Sequence, residues 1–222
     1  MPTEFAPPDP LIDALVADFH AVTPRQWRRE AAFVAALVMA ELLFFITMRG
    51  TRPDMADAMA TPAMWWKILS PAAIALLAVA AALMSLDPAV TTPRRIAPLW
   101  WTIGLAAPLA VAAGWVIDAG ASGQAALLAR LDWRAGVDCL FGVVILALPP
   151  VLALGVLVRR GASTQPARTA AAAGLAAAAF AAFIFAFHCD HDDPLYVMVW
   201  YGGAVAGITL LSRLILPRLS RW

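Results

Sequence analysis

Six stretches of this chain are each long and apolar enough to cross a lipid bilayer, and little else in it is long enough to compete with them. A helix needs roughly 20 predominantly apolar residues to traverse the hydrocarbon core. The qualifying runs are about Glu30–Met48, Ala63–Leu86, Ile96–Ile117, Val137–Val158, Ala167–Phe187 and Pro194–Leu216. They are continuous rather than alternating and rich in Ala and Leu, which favours helices over the strands of a barrel. Of the 222 residues 62% are hydrophobic and 14% charged, with a mean hydropathy of +0.76. One soluble fold of this size has no interior large enough for that much apolar surface. A disordered chain and a disulfide-rich secreted module are excluded on the same ground. The expected fold is therefore an all-α integral membrane bundle of six transmembrane helices, residues 30–222, preceded by a soluble segment, residues 1–29. No cleavable signal peptide is visible.

Tryptophans mark the helix ends. Trp27, Trp65, Trp66, Trp100, Trp101, Trp115 and Trp222 all fall near predicted boundaries, as expected of a belt at headgroup depth. Orientation follows from the basic residues. The N-terminus, the second and fourth loops and the C-terminus carry eleven of the sixteen, including Arg94-Arg95 and Arg159-Arg160. The positive-inside rule then makes both termini cytoplasmic. The loops at about 49–62, 118–136 and 188–193 face outward. The last reads His188-Cys189-Asp190-His191-Asp192-Asp193 and holds no basic residue.

Only two cysteines occur, Cys139 and Cys189. The topology puts both at the outer end of the bundle, a side that is oxidising if the cell has a periplasm. A disulfide or a pair of reactive thiols fits this placement, provided the Cα atoms approach within about 7 Å. The alternative is that the two serve as small hydrophobes. Imidazolium from His188 would favour a thiolate at Cys189 and the neighbouring carboxylates would oppose it. A metal reading competes: His188, Cys189, His191 and the carboxylates are ligands that Zn or Cu accepts. Their spacing matches no standard zinc motif, and redox chemistry is the preferred reading. Asp190 and Asp193 read as a solvated acidic loop.

The N-terminal segment encodes a short amphipathic helix. Asp9-Pro10 is an N-cap followed by a first-turn proline. Leu11, Ile12, Leu15, Val16 and Phe19 share roughly 140° of a helical wheel. Asp13 lies on the opposite face, Asp18 at the stripe's edge, and Pro24 ends the pattern. A helix lying on lipid would carry Lys and Arg on its polar face. This one is acidic, so a protein with an apolar groove and a basic rim is the better partner. Packing on the cytoplasmic face of its own bundle is the competing use.

Inside the membrane, Glu41 is the clearest charge and a functional candidate by position; the expected state is protonated and hydrogen-bonded within the bundle. The spans lack the several charges of an ion pathway. The Ala-rich fifth span and Gly203-x-x-x-Gly207 suit close helix packing. Pro108 and Pro149-Pro150 should break or kink their helices. No phosphate loop, metalloprotease motif or hydrolase elbow is present.

Residues spread over the whole length carry a family resemblance. They are Leu11-Ile12-Asp13-Ala14-Leu15, Arg52-Pro53-Asp54, Ala60-Thr61-Pro62 with Trp66-Lys67, and Cys139 with Leu148-Pro149-Pro150. Arg160-Gly161-Ala162, His188-Cys189 with Asp192, Pro194 and Leu195, Val199-Trp200-Tyr201-Gly202 and Pro217-Arg218 complete the set. With these the chain resembles the NrsF family, membrane negative regulators of extracytoplasmic-function sigma factors. The resemblance implies a six-span anti-sigma factor, not an enzyme and without a cofactor, that holds its sigma factor inactive at the bacterial inner membrane. It also implies a sensing role for Cys139 and Cys189. The chain departs from the family pattern at Asp190 and His191, which weakens a metal site built on His191. The reading from a different class is a membrane thiol oxidoreductase or metal transporter. An enzyme of that kind usually carries Cys-x-x-Cys, absent here.

Overall fold

The computed structural model describes residues 10–18, 26–87, 93–121 and 127–219, and these are all helix and short connections. In chain order the helices are α1 (Pro10–Ala17), α2 (Trp27–Arg49), α3 (Met55–Ala58), α4 (Pro62–Met84) and α5 (Pro93–Ala121). They continue with α6 (Leu127–Arg130), α7 (Trp133–Arg160), α8 (Pro166–Ala186) and α9 (Pro194–Leu219). Six of them, α2, α4, α5, α7, α8 and α9, are long and apolar enough to cross a membrane. The chain is a multi-pass helical membrane protein.

Helix α8 is the centre. From Ala170 to Ala182 every residue but Leu175 and Phe180 is Ala or Gly, and 72% of the helix's most apolar stretch is buried. Lipid tails are as apolar as Leu, so helices in a bilayer associate through close packing rather than hydrophobic exclusion, and small side chains permit that approach. Helices α4, α7 and α9 all pack directly on α8. At Gly174 a Cβ would meet the Ser212 side chain of α9, so glycine here sets the α8–α9 spacing. The other expected small-residue contact differs. Gly203 and Gly207 are exposed, and a Cβ on either would meet nothing within 4 Å. Their stripe faces away from the bundle because α9 turns Tyr201, Ala204, Ile208 and Ser212 inward instead.

Local chemistry fixes the helix ends. Thr61 caps α4, its hydroxyl accepting from the Met64 N–H at 3.3 Å, with Pro62 in the first turn; both are standard start signals. Asp132 caps α7 from a positive φ of 24°. Gly50 closes α2 at φ 75°, a conformation glycine adopts without steric cost. Helix α7 runs on unbroken through Pro149-Pro150, as α5 does through Pro108; neighbouring helices in a bundle re-satisfy the backbone groups that proline frees. Trp27, Trp65, Trp101, Trp115 and Trp133 are exposed near helix ends, as a headgroup belt requires. Trp66 and Trp200 turn inward instead. Their indole N–H groups donate to the Ala110 and Leu131 carbonyls, both at 2.8 Å.

Helix α2 is sparsely enclosed, with only Val34 and Val38 buried, neither of them beyond its midpoint. Its second half, toward Arg49, stands off from α7. Helix α1 is present over Pro10–Ala17 with Asp13, Val16 and Asp18 exposed. The side chains of Leu11, Ile12 and Leu15, and all of Phe19, lie outside the described residues.

Candidate functional site: a thiol pair beneath an ion-paired loop

Helix α7 enters the membrane with Cys139 in its second turn, facing inward. Cys189 sits in the α8–α9 connection, held by a backbone hydrogen bond from its N–H to the Phe185 carbonyl at 3.1 Å. Fifty residues apart in sequence, the two sulfurs lie 3.4 Å from each other and both side chains are buried. They are in contact and not bonded. The Tyr196 hydroxyl, fully buried on α9, donates to Cys139 Sγ at 3.1 Å. The His191 ring stacks on Tyr196 with centroids 4.5 Å apart.

Above the thiols the loop is clamped by two cations from the other half of the chain. Lys67, on α4, has a wholly buried side chain. Its ammonium donates to the Cys189 carbonyl and the His191 carbonyl, each at 2.8 Å, and to Asp192 at 3.1 Å. Three donors find three acceptors, which is what a buried ammonium requires. It also lies 5.8 Å from the centroid of the Tyr201 ring. Arg52, between α2 and α3, is equally buried. One terminal nitrogen contacts both Asp192 oxygens at 2.7 Å and the Cys189 carbonyl at 3.3 Å. The other reaches the Asp190 carbonyl at 3.2 Å, and the group pairs two-pronged with Asp54 at 2.7 Å. The Arg52 N–H adds a bond to the Phe187 carbonyl at 3.0 Å. A third cation, Arg130 of α6, pairs with Asp193 at 2.7 Å and with Asp118 at the end of the α5 span.

The charges act on the titratable groups outside the spans in defined directions. The hydrogen bond from Arg52 pulls the Asp54 carboxyl below its ordinary range, and Asp54, more than Asp192, holds the Arg52 guanidinium further from losing its proton. For Asp193, burial pushes upward, but Arg130 and the Tyr196 and Leu195 N–H groups outweigh it, so the carboxyl lies low. Cys189 is held below the usual thiol range, first by its contact with Cys139 and further by the Lys67 ammonium, against burial. A thiol held low is the more nucleophilic partner near neutral pH.

The sequence-derived candidates separate here. Cys139 and Cys189 come together. His188 turns away from them: its Nδ1 lies 3.2 Å from the Gly50 carbonyl, and its ring packs edge-on against Phe45 and Phe185. The groups whose ligand atoms cluster, within 4.8 Å of one another, are Cys189, Asp190 and His191. His191 Nδ1 also pairs with Asp190 at 2.9 Å. Asp190 is exposed as expected of a solvated loop, whereas Asp193 is engaged by Arg130. Glu41 keeps one oxygen, Oε2, buried with no hydrogen-bond partner among the described residues, so the expected internal bond at that atom is not formed. Lys67 and Arg52 enter the sequence reading only within the resemblance motifs; nothing in their spacing marks them as a clamp or distinguishes them from the exposed Arg49.

A six-span helical bundle that buries a thiol pair under a salt-bridged loop defines a polytopic membrane protein. Comparison with known proteins gives that class a family. Residues 15–222 match the family described as NrsF, negative regulator of sigma F. The chain is 31% identical over 220 residues to the anti-sigma-F factor NrsF of Caulobacter vibrioides (strain NA1000 / CB15N), covering 96% of this chain and 99% of that protein. No solved structure matches. The chain belongs to the NrsF family of anti-sigma factors.

Proposed function

We propose that this protein holds an extracytoplasmic-function sigma factor inactive at the bacterial inner membrane and releases it when Cys139 and Cys189 are modified. The observation that carries the reading is the 3.4 Å contact of the two sulfurs on separate elements. Oxidation to a disulfide needs a further approach of the sulfurs to about 2.05 Å. Cys189 is on a loop and Cys139 on a helix, so that closure pulls the loop against the clamp formed by Lys67 and Arg52. A thiol-reactive metal bound at Cys189, Asp190 and His191 would load the same loop. A modification shifts an equilibrium only by favouring one of two states, and covalent closure does so strongly.

Both chain ends are assigned to the cytoplasm, since an even number of crossings puts them on one side and the basic residues favour the inner face. The acidic N-terminal helix, with Leu11, Ile12, Asp13, Leu15, Val16, Asp18 and Phe19, is the assigned sigma-factor docking element. The paired Cys139→Ser, Cys189→Ser variant is expected to repress normally but not to induce under oxidant. An unchanged induction removes the thiol mechanism. Deletion of residues 1–22 is expected to switch the regulon on constitutively. Full repression by that truncation moves the docking site elsewhere.

A further inference from the structure

A cavity of about 1280 Å³ lies where the second half of α2 stands off from α7. Cys139 and Cys189 both line it. These sulfur-bearing residues are only 7% and 4% exposed, and the cleft is an approach to them. Its mouth is framed by Phe44, Met48, Phe141 and Ile145, which are exposed on the bilayer-facing surface of the bundle. The cleft therefore has an apolar side that opens toward lipid and a polar end at Arg49, Thr51, Asp138 and Asp190 that opens toward water. On its α2 wall stands Glu41, with Oε2 buried and without a hydrogen-bond partner among the described residues. Eight residues below Arg49, Glu41 is about 12 Å down the helix axis. Cys139, six residues into α7, is about 9 Å down its own. A ligand polar group in this place would satisfy that carboxyl oxygen.

We propose that the α2–α7 cleft is a binding site for a membrane-dissolved quinone, which reaches Cys139 and Cys189 from the bilayer and oxidises them. The inference rests on the thiol reading above and names the oxidant's class. The ligand must be apolar enough to pass between phenylalanines, must carry an oxygen able to share a hydrogen bond with Glu41, and must accept two electrons. A quinone ring meets all three demands. In the step, each thiol gives up one proton and one electron. The S–S bond forms, and the quinone takes both electrons and both protons to become the hydroquinone. Glu41 touches only the ring oxygen; it bonds to the carbonyl if protonated and accepts from the hydroquinone hydroxyl if ionised.

The test uses the full chain in lipid nanodiscs under anaerobic conditions, with a short-tailed ubiquinone as one oxidant and water-soluble diamide as the other. Free thiols are counted by maleimide mass-tagging, and hydroquinone by absorbance. The expected result is loss of both thiols with one hydroquinone formed per protein. Glu41→Leu, and Ala40→Phe on the cleft wall, should each slow the quinone reaction by about tenfold, the effect of one hydrogen bond or of a narrowed entry. Their diamide rates should stay at the wild-type value, which shows the bundle intact. Thiols that survive the quinone but react with diamide overturn the cleft proposal and leave the thiol reading standing. Equal quinone rates in all variants overturn it too. Thiols inert to both oxidants overturn both.

Discussion

Replacing Lys67 with Met isolates what holds the outer loop over the thiols. Methionine matches the lysine stem in length and apolar character, so the change deletes the ammonium and little else. Three contacts disappear: the Cys189 carbonyl at 2.8 Å, the His191 carbonyl at 2.8 Å and Asp192 at 3.1 Å. Removing one partner of a buried ion pair costs about 3–5 kcal/mol. Here Arg52 still serves Asp192 and the Cys189 carbonyl, so the lower end, about 3 kcal/mol, is the expected loss. It falls on the loop rather than on the bundle, because all three acceptors belong to residues 189–192. At about 1.4 kcal/mol per decade, local opening becomes about a hundredfold more frequent. The readout is the rate at which a water-soluble maleimide labels Cys189, compared between Cys139→Ser and the Cys139→Ser, Lys67→Met double variant. Loss of the ammonium also withdraws an influence that favours the Cys189 thiolate, which slows labelling. Working at a pH above the thiol's titration removes that opposing effect. A labelling rate within about twofold of the parent would refute the claim that Lys67 clamps the loop, since even a third of the expected energy exceeds that change.

Other outcomes follow from the same geometry. Asp193 accepts from the Leu195 and Tyr196 N–H groups and pairs with Arg130, and its carboxyl lies below the ordinary range. A depressed carboxyl contributes stability above its unfolded value and loses it as pH falls through the folded one. Hydrogen-exchange protection at Leu195 and Tyr196 should thus persist through about pH 4 and vanish below it, and Arg130→Gln should move that loss to higher pH. A Cβ at Gly136 would run into the Trp200 indole; Gly136→Ala should cost about 1–3 kcal/mol in denaturant titration. Trp200→Phe should recover part of that loss, even though it sacrifices the bond to the Leu131 carbonyl, and additive effects would place the clash elsewhere. Gly203→Ala, by contrast, should leave stability of the isolated chain within about 0.5 kcal/mol, because nothing faces it.

The spans were legible because hydrocarbon thickness imposes a length on apolar runs and leaves no room for alternatives. That same count carried the thiol placement: with crossings numbered, Cys139 and Cys189 had to share one end. Their contact was not legible, since fifty intervening residues and two helices set it. The clamp was invisible for a related reason. Arg52 and Asp192 are 140 residues apart, and a helix wheel of α4 places Lys67 on a face without saying what fills the space beyond. The His188 ring illustrates the converse. Adjacent to Cys189 in sequence, it points to the end of α2 because the chain leaves helix at Phe187 and reverses there. Gly203 and Gly207 matched a packing pattern whose spacing is right and whose direction is not, a matter decided by where Tyr201 and Ala204 face.

The clamp also orders the chain's own biogenesis. Lys67 and Arg52 emerge early, on the first hairpin, whereas every loop acceptor they need arrives with the last one. Until α8 and α9 have inserted, the Lys67 ammonium lacks all three of its hydrogen-bond acceptors. A polypeptide truncated before the final hairpin would keep that ammonium without those acceptors, and a buried cation lacking partners is costly.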